Sequence, residues 1–415
     1  MINPVSRVVR YIRREGFRAF TVTALQRSAS RLATAVPAER HKIRMLVRYD
    51  DALRVDWSRP APWQENPRAQ GTGPISTAWI MHPPGESSGG HQNIFRFIKY
   101  LEDAGHEATV YLYHSHEHGI DAKYLQALVR DSASYPTVRA KFSEYDPAKG
   151  VDPRHDAIFA TGWETAYPVY LDPSDARRFY FVQDYEPAFY PVGSEHVFAE
   201  NTYRFGFHGI TAGPWLAGRL HDEYGMAADY FAFGADVRHY SYVNTERRKD
   251  VFFYARPVTT RRGFEIGVMA LELIARERPD LTLHLAGWDV SSYDLPFSYV
   301  NHEVMKVTEL NELYNRCGAA LVLSLTNLSL LPLELLAAGV IPVVNDAPNN
   351  TLVSNNPFIE YSEPTPHALA RRVLDVLDRE DQAEHARAAS ASTASANWDV
   401  SGQQFVSIVE RELRG

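Results

Sequence analysis

Short apolar runs alternate with longer stretches of helical periodicity through most of this chain, and the alternation occurs twice in series. In the first series the runs are STAWIMH (76–82), HEATVYLY (106–113), HDAIFAT (155–161), RRFYFVQ (177–183) and FGFHGITA (205–212). In the second series they are DVFFYAR (250–256), LTLHLAG (281–287), AALVLSL (319–325) and VIPVVN (340–345). Strands that alternate with helices indicate parallel sheets covered by helices. The pattern therefore predicts an α/β protein with two Rossmann-like units and a ligand cleft between the carboxyl ends of their strands.

Changes of composition predict where these units begin and end. Residues 49–75 are rich in Pro and Gly, which is typical of a linker. The first Rossmann-like domain is predicted to span residues 76–236, and the second to span residues 237–385. Residues 386–415 then read as an Ala/Ser-rich linker followed by a helix. That last helix is long enough to cross back over the first domain.

Residues 1–48 are strongly basic, in contrast to the rest of the chain. They carry eleven Lys or Arg residues against two acids, a balance of +9, whereas the whole 415-residue chain has a net charge of -8. Apolar residues recur there at near-helical spacing, with arginines mostly between them. The pattern predicts a basic amphipathic helix that lies on an anionic membrane surface or, alternatively, docks on the acidic body or on a partner. Nucleic acid is disfavoured as a partner, because an acidic body repels a phosphate backbone.

The sequence also bears on the cellular compartment. Its single cysteine, Cys317, excludes an intrachain disulfide and a cysteine-based zinc site. The longest apolar runs fall short of the roughly 18 residues that span a bilayer, and the first residues show no signal-peptide h-region. We therefore expect a cytoplasmic protein, with peripheral contact at the inner face of the plasma membrane if the basic helix binds lipid.

Three arginines are expected to lie close together in the second unit. A buried strand delivers Arg256 to its carboxyl end, and Arg261 and Arg262 stand just before the next helix. Guanidinium groups beside a helix N-terminus suit a diphosphate. Arginines beside a helix are often merely solvated, but the position of Arg256 at the end of a buried strand favours phosphate binding.

The loop from Pro83 to Gly90 is a second candidate for anion binding. Gly89 and Gly90 allow a ligand to approach the backbone closely, and N–H groups at the start of the next helix attract anions. Gly-rich turns between strand and helix are also common without ligands. The loop does not match G-x-G-x-x-G, and no acid ends the following strand, so a dinucleotide dehydrogenase is disfavoured.

Several segments, taken in order, resemble those of a known enzyme family. GITAGPWLAGRL leading to FGAD, VFFYARPVTTRRGFEIG, LHLAGWD, ELNELYNRC and LPLELLAAGVIPVV resemble the GT-B glycosyltransferases of retaining family 4. QDYEPAFYPVGSE (183–195) is similar to a segment of the WsaF-type rhamnosyltransferases in particular. The resemblance covers about residues 75–410. It implies the GT-B fold and transfer of a sugar, L-rhamnose from dTDP-L-rhamnose, to a growing polysaccharide or lipid-linked oligosaccharide.

The resemblance also implies how the donor is held. Arg256, with Arg261 or Arg262, would neutralise the diphosphate, and Lys306 matches a family lysine that faces phosphate. These cations would stabilise the charge that develops on the leaving diphosphate. Transfer is then expected to retain the anomeric configuration and to need no metal, and no cofactor is implied beyond the nucleotide-sugar donor.

One acid in an apolar run, Glu334, matches the family residue that accepts hydrogen bonds from the nucleotide ribose. Ser329 and Leu330 would stand at the start of its helix, where N–H groups face the diphosphate. An acid in the first turn of a helix is also favourable without any ligand. The family usually carries a further acid eight residues earlier, where this chain has Thr326 followed by Asn327. Its absence agrees with a deoxysugar donor.

The first domain is expected to hold the acceptor. Asp184, Tyr185 and Glu186 follow a buried strand at the mouth of the predicted cleft, and Asp184 would be the general base if the reaction inverted configuration. The alternative is a structural loop with hydrogen-bonded acids. His82 and His208 could contact sugar hydroxyls or phosphate, although a lone histidine is more often structural.

Two other functions stay open. The donor could be another UDP-, GDP- or dTDP-sugar, or the chain could be a non-catalytic GT-B protein that binds nucleotide or glycan beside an active transferase. A non-catalytic relative would be expected to lack Arg256 or Lys306. Both residues are present, which favours catalysis.

Overall fold

The computed structural model describes residues 43–65, 71, 73–86, 88–116 and 119–415. The basic amphipathic helix predicted within residues 1–48 lies almost entirely outside these described residues. None of the described helices is both long and apolar enough to cross a lipid bilayer.

The first half of the described chain builds a seven-stranded sheet. Its strands are β1 (Ser76–Met81), β2 (Glu107–Leu112), β3 (Lys141–Glu144), β4 (Ala157–Ala160), β5 (Arg177–Val182), β6 (His208–Ala212) and β7 (Ala228–Phe231). They lie in the order β3-β2-β1-β4-β5-β6-β7, and every pair is parallel.

The second half builds a six-stranded sheet, again with every pair parallel. Its strands are β8 (Asp250–Tyr254), β9 (Leu283–Ala286), β10 (Val300–Asn301), β11 (Cys317–Val322), β12 (Ile341–Asn345) and β13 (Glu360–Ser362). They lie in the order β10-β9-β8-β11-β12-β13. The predicted α/β class with two parallel sheets is confirmed.

Helices connect these strands. They are α1 (Tyr49–Arg54), α2 (Pro62–Glu65), α3 (Gly89–Asp103), α4 (Ala122–Asp131), α5 (Trp163–Leu171), α6 (Ser194–Asn201), α7 (Pro214–Tyr224), α8 (Phe264–Glu277), α9 (Val307–Tyr314), α10 (Leu331–Ala337), α11 (Pro348–Thr351), α12 (Pro366–Leu377), α13 (Gln382–Ser392) and α14 (Trp398–Arg414). Short 3-10 turns cover Glu186–Phe189, Thr202–Arg204, Thr260–Arg262 and Thr393–Ser395.

Each sheet has one point where the chain reverses its direction of winding. In the first sheet the connections run from β1 outward through β2 on one side and from β4 outward through β5 on the other. In the second sheet the corresponding neighbours are β8 and β11. Loops that leave adjacent strands in opposite directions open a crevice at the carboxyl ends of those strands, which is where open α/β sheets bind ligands.

Aromatic rings fill the core around the first sheet, and the C-terminal helix α14 contributes to it. Trp79 of β1 stacks on Phe159 of β4 with ring centroids 4.2 Å apart. Phe405 of α14 is fully buried against them and lies 4.7 Å from the ring of Phe97. At Gly402 a Cβ atom would lie 2.3 Å from the ring of Tyr100, so only glycine permits this close packing of α14 on α3.

The structure departs from the predicted elements in two respects. Strands β3, β7, β10 and β13 were not predicted, because they are short and carry polar residues that interrupt the apolar pattern. The Ala/Ser-rich stretch predicted as a linker is largely helical as α13, since alanine has a high helix propensity. The predicted linker 49–75 likewise contains α1 and α2.

Candidate functional site

Arg256 lies two residues beyond the end of β8, at the crevice of the second sheet. Its Nη1 atom donates to the carbonyl oxygen of Gly287 at 3.5 Å, which holds the guanidinium beside the carboxyl end of β9. Its Nε atom is buried and has no hydrogen-bond partner among the described residues. The ring of Trp288 lies 5.8 Å from its Cζ atom. Because an unpaired buried donor costs free energy, Arg256 is suited to receive an anion.

Arg261 and Arg262 occupy a 3-10 turn after β8. Gly263 follows this turn with a φ of 58°, a left-handed conformation that favours glycine. Arg262 Nη1 donates to Ser324 Oγ at 3.0 Å, and burial lowers the pKa of Arg262. Arg261 stacks over the ring of Phe189 at 4.0 Å. The second domain therefore presents a cluster of three guanidinium groups, as the strand-end position of Arg256 predicted.

A carboxylate of the first domain meets this cluster across the cleft. Asp184 follows β5, and its Oδ2 atom lies 3.3 Å from Arg261 Nε. Its Oδ1 atom accepts a hydrogen bond from the N–H of Tyr185 at 2.9 Å. Burial raises the pKa of Asp184, while Arg262 and Arg261 oppose that rise. The acid predicted for the acceptor and the arginines predicted for the diphosphate thus lie in contact.

The next two residues of this loop are held inside the first domain. Glu186 Oε2 accepts hydrogen bonds from the N–H of Trp163 at 2.6 Å and from the hydroxyl of Tyr180 at 2.5 Å. Tyr185 is 6% exposed, and its hydroxyl lies 2.6 Å from the hydroxyl of Tyr224. These contacts agree with the alternative reading of this part of the loop, in which its acid is hydrogen-bonded and structural.

The burial of Glu186 should make the stability of the protein depend on pH. Burial raises the pKa of Glu186 to about 8, well above its ordinary value of 4.5. Between these values the folded chain keeps a proton that the unfolded chain has lost, so the free energy of unfolding falls as pH rises. The slope for one such proton approaches about 1.4 kcal/mol per pH unit. We expect Glu186→Gln to remove this part of the pH dependence in urea unfolding measured between about pH 5.5 and 7.5. Parallel curves for the two proteins would contradict the burial of a protonated Glu186.

Glu334 lies in the first turn of α10, and it already has partners in this structure. The hydroxyl of Tyr240 lies beside its carboxyl group. Burial raises the pKa of Glu334 to about 7, and the nearby Arg96 guanidinium of α3 acts in the opposite direction. Ser329 and Leu330, half-buried, precede the helix as predicted. Glu334 therefore faces the first domain, although no signal in the sequence pointed to Arg96.

The remaining donor-side candidates are more open. Lys306 precedes α9 with an exposed side chain, and its backbone N–H donates to Glu309 Oε2 at 3.1 Å. Gly89 and Gly90 begin α3 and are both exposed. The carbonyl oxygen of Gly90 accepts a hydrogen bond from Gln183 Nε2 at 3.1 Å, which places this loop beside the end of β5.

His82 lies at the cleft, directly after β1. Its Nε2 atom is 3.8 Å from Glu164 Oε2, and its carbonyl oxygen lies 3.0 Å from His91 Nε2. Glu164 was missed in the sequence, although it comes soon after the predicted strand 155–161, in the first turn of α5.

His208, the other histidine predicted to contact the acceptor, stands at the first position of β6. In a parallel sheet the amino ends of the strands lie at the edge opposite the cleft. His208 Nε2 lies 2.8 Å from Asp229 Oδ2, and Nδ1 lies 3.4 Å from Glu412 Oε2. Ligand atoms of these three residues lie close enough for a metal ion. Arg411 and Arg177 also pair with the two acids, however, so guanidinium groups already supply positive charge there.

The floor of the cleft contains a contact between the domains that the sequence could not reveal. Asn327 Nδ2 donates to the carbonyl oxygens of Gln183 at 3.1 Å and of Ala212 at 3.0 Å. Its Oδ1 atom is buried and has no hydrogen-bond partner within the described part of the chain. The side chain of Thr326 faces the carboxyl group of Asp184. Asp184 of the first domain thus lies beside Thr326 of the second domain.

Part of the second domain and a longer stretch of the chain match known proteins. Residues 249–374 match the family described as "WsaF, C-terminal domain". The O-antigen biosynthesis protein RfbC of Myxococcus xanthus is 35% identical over 232 residues, which are 54% of this chain and 18% of RfbC. The chain therefore spans less than a fifth of the length of that relative.

Several solved structures share the fold at low sequence identity. Sucrose-phosphate synthase from Thermosynechococcus elongatus is 13% identical with a TM-score of 0.61, covering 81% of this chain and 98% of the synthase. HepE from Anabaena in complex with UDP-glucose is 14% identical with a TM-score of 0.62, covering 81% of this chain and all of HepE (100%). A glycosyltransferase from Rickettsia africae is 12% identical with a TM-score of 0.60, covering 82% of this chain and 99% of that protein.

Proposed function

We propose that this chain, which has the GT-B fold and a second domain of the WsaF type, is a glycosyltransferase that extends a glycan from a nucleotide-sugar donor. The observation that carries the proposal is the cluster of Arg256, Arg261 and Arg262 at the carboxyl end of β8. Three guanidinium groups at the crevice of an α/β sheet provide the positive charge that a sugar diphosphate requires. The match to an O-antigen biosynthesis protein supports a polysaccharide or lipid-linked oligosaccharide as the product.

The donor we propose is dTDP-L-rhamnose. The resemblance of residues 183–195 to the WsaF-type rhamnosyltransferases supports this sugar. HepE, which shares the fold, was solved in complex with UDP-glucose, which supports a nucleotide-sugar donor in general. Thr326 and Asn327 agree with a donor that offers few hydroxyl groups, since the acid usual in family 4 is missing from this position. The carboxyl group of Glu334, now contacted by Tyr240, would accept hydrogen bonds from the ribose.

Transfer would proceed through electrostatic stabilisation of the leaving diphosphate. Arg256 and Lys306 would face the phosphates, and Arg261 would exchange its present partner Asp184 for a phosphate oxygen. Fixed cations in a water-poor cleft stabilise developing charge strongly, because they need no reorganisation during the reaction. We propose that the reaction retains the anomeric configuration, with these side chains carrying the role that a metal ion has in other transferases.

Nucleotide binding provides the direct test of this proposal. We expect dTDP and dTDP-L-rhamnose to raise the melting temperature of the protein more than UDP, GDP or their sugars do. A ligand that binds only the folded state stabilises that state, and it does so more strongly the more tightly it binds. The increase should persist in EDTA if the arginines and Lys306 carry the phosphate interaction. Larger shifts with UDP- or GDP-sugars would reassign the donor. The absence of a shift with every nucleotide would contradict the proposed function.

A lipid-linked acceptor would also account for the charge of residues 1–48. Basic amphipathic segments bind anionic membrane surfaces, and such binding would bring the cleft to the membrane. We therefore propose peripheral contact with the inner face of the plasma membrane through these residues, of which all but 43–48 lie outside the described part of the chain.

A further inference from the structure

The crevice of the first sheet is formed by the loops that follow β1 and β4. These strands are neighbours, with Ile80 of β1 paired to Ala160 of β4, and the chain leaves them in opposite directions. The loop after β1 carries His82, and the first turn of α5 after β4 carries Glu164. Because ligands bind at such a crevice, side chains at these two strand ends are placed to contact one.

The side chains of Glu164 and His82 form a polar pair at this crevice, and both are partly exposed to solvent. Glu164 Oε2 lies 3.8 Å from His82 Nε2, and Oε1 accepts a hydrogen bond from the hydroxyl of Tyr190 at 3.4 Å. The Tyr190 hydroxyl is itself held by Trp163 Nε1 at 3.0 Å. The side chains of Glu164 and His82 are 20% and 33% exposed. Both contacts of the carboxylate are long, which leaves its oxygens able to accept further hydrogen bonds.

The two acids in the loop directly after β5, Asp184 and Glu186, are already engaged. Asp184 pairs with Arg261 across the cleft. Glu186 is 6% exposed, and two donors hold the same oxygen of its carboxyl group. Of the three acids Glu164, Asp184 and Glu186, Glu164 is therefore the one whose carboxylate a ligand from solvent can most readily reach.

This pair lies close to the arginines proposed to bind the diphosphate. Tyr190 contacts Glu164, and the preceding residue, Phe189, packs against the guanidinium of Arg261 at 4.0 Å. Phe189 thus faces the donor side of the cleft, and its neighbour Tyr190 faces Glu164. A sugar bound at Glu164 would lie beside the donor, as transfer between the two requires.

We infer that Glu164, His82 and Tyr190 form the subsite for the acceptor sugar, with Glu164 accepting hydrogen bonds from two adjacent hydroxyl groups. The inference rests on the proposed transferase function and deepens it by identifying the acceptor contacts. A carboxylate matches a vicinal diol because each of its two oxygens accepts one hydroxyl hydrogen. His82 would bind a further hydroxyl, and the half-buried Tyr190 ring would flank the sugar.

Saturation-transfer NMR with methyl α-L-rhamnopyranoside and methyl α-D-glucopyranoside, in the presence of dTDP, tests this subsite. We expect at least one probe to bind, and Glu164→Gln to weaken its binding by about tenfold, because hydrogen bonds to a charged acceptor are lost. Asp131→Asn removes an exposed carboxylate that pairs with Arg130 on α4, and it should bind the probes as the wild-type protein does.

A second variant, together with the melting temperature measured with and without dTDP, makes the outcome decisive. His82→Gln should also weaken probe binding, and both cleft variants should keep the dTDP-induced rise in melting temperature. Unchanged probe binding by both variants would overturn the subsite. A wild-type protein that is stabilised by dTDP but binds neither glycoside would also overturn it, leaving the proposed function intact. A wild-type protein that no nucleotide stabilises would instead contradict the proposed function itself.

Discussion

Arg256→Ala should lower turnover by roughly 100- to 1,000-fold while leaving the fold intact, on the proposal that Arg256 stabilises the leaving diphosphate. The guanidinium is held at the strand end by Gly287, and its Nε atom is buried and has no hydrogen-bond partner in the described residues. Alanine would leave no cation at this position. Arg256→Lys should recover part of the activity, because a lysine restores the charge without the planar fork of donors.

Release of nucleotide from the identified donor, followed over time, measures this effect. Arg276→Ala is the matched control, since Arg276 lies on α8 of the same domain with its side chain 72% exposed and paired to Glu272. It should keep wild-type turnover. Near-normal turnover of Arg256→Ala, with an unchanged melting temperature, would remove Arg256 from the diphosphate site.

Phe405→Ala should destabilise the protein by about 3–5 kcal/mol, the usual cost of deleting a buried phenyl ring. Phe405 belongs to α14, at the far end of the chain, yet it is fully buried in the core of the first sheet. Its ring lies 4.7 Å from Phe97, 6.0 Å from Phe181 and 6.2 Å from Phe159. The cavity left by alanine would loosen the attachment of α14 to the first sheet.

The midpoint of urea unfolding, followed by far-UV circular dichroism, measures this loss. Val400→Ala on the same helix is the control, because Val400 is 61% exposed and should change stability little. A Phe405→Ala midpoint equal to that of the control would show that α14 contributes little to the first core.

The elements that the sequence predicted well are those whose periodicity comes from burial. Strands such as β5 and β8 lie where the apolar runs placed them, within a few residues. Strands β10 and β13 escaped prediction because a sheet edge needs few apolar side chains. The helix α13 escaped because its small residues show no strong apolar face, and it forms by alanine propensity and packing.

The residues of the candidate site also fall into those whose positions the sequence predicted and those whose positions it did not. A residue that follows a buried strand must lie near the carboxyl edge of its sheet, so the positions of Arg256, Asp184 and His82 could be predicted. The position of His208 could not be predicted in this way, because it lies inside the apolar run FGFHGITA and the strand itself begins only at this residue. The first position of β6 lies at the edge of the sheet opposite the cleft.

The sequence by itself determined the two parallel sheets, the strand ends that carry the arginines and the apolar run around Glu334. The tertiary structure alone decided which charged groups meet. Asp184 pairs with Arg261, and Glu334 faces Arg96, across a cleft between residues far apart in the chain. It also decided that Glu186 is buried whereas Glu164 stays accessible. The physical reason is that local periodicity reports which side chains a strand or helix buries, whereas pairing and desolvation of an acid depend on what the rest of the fold brings to it.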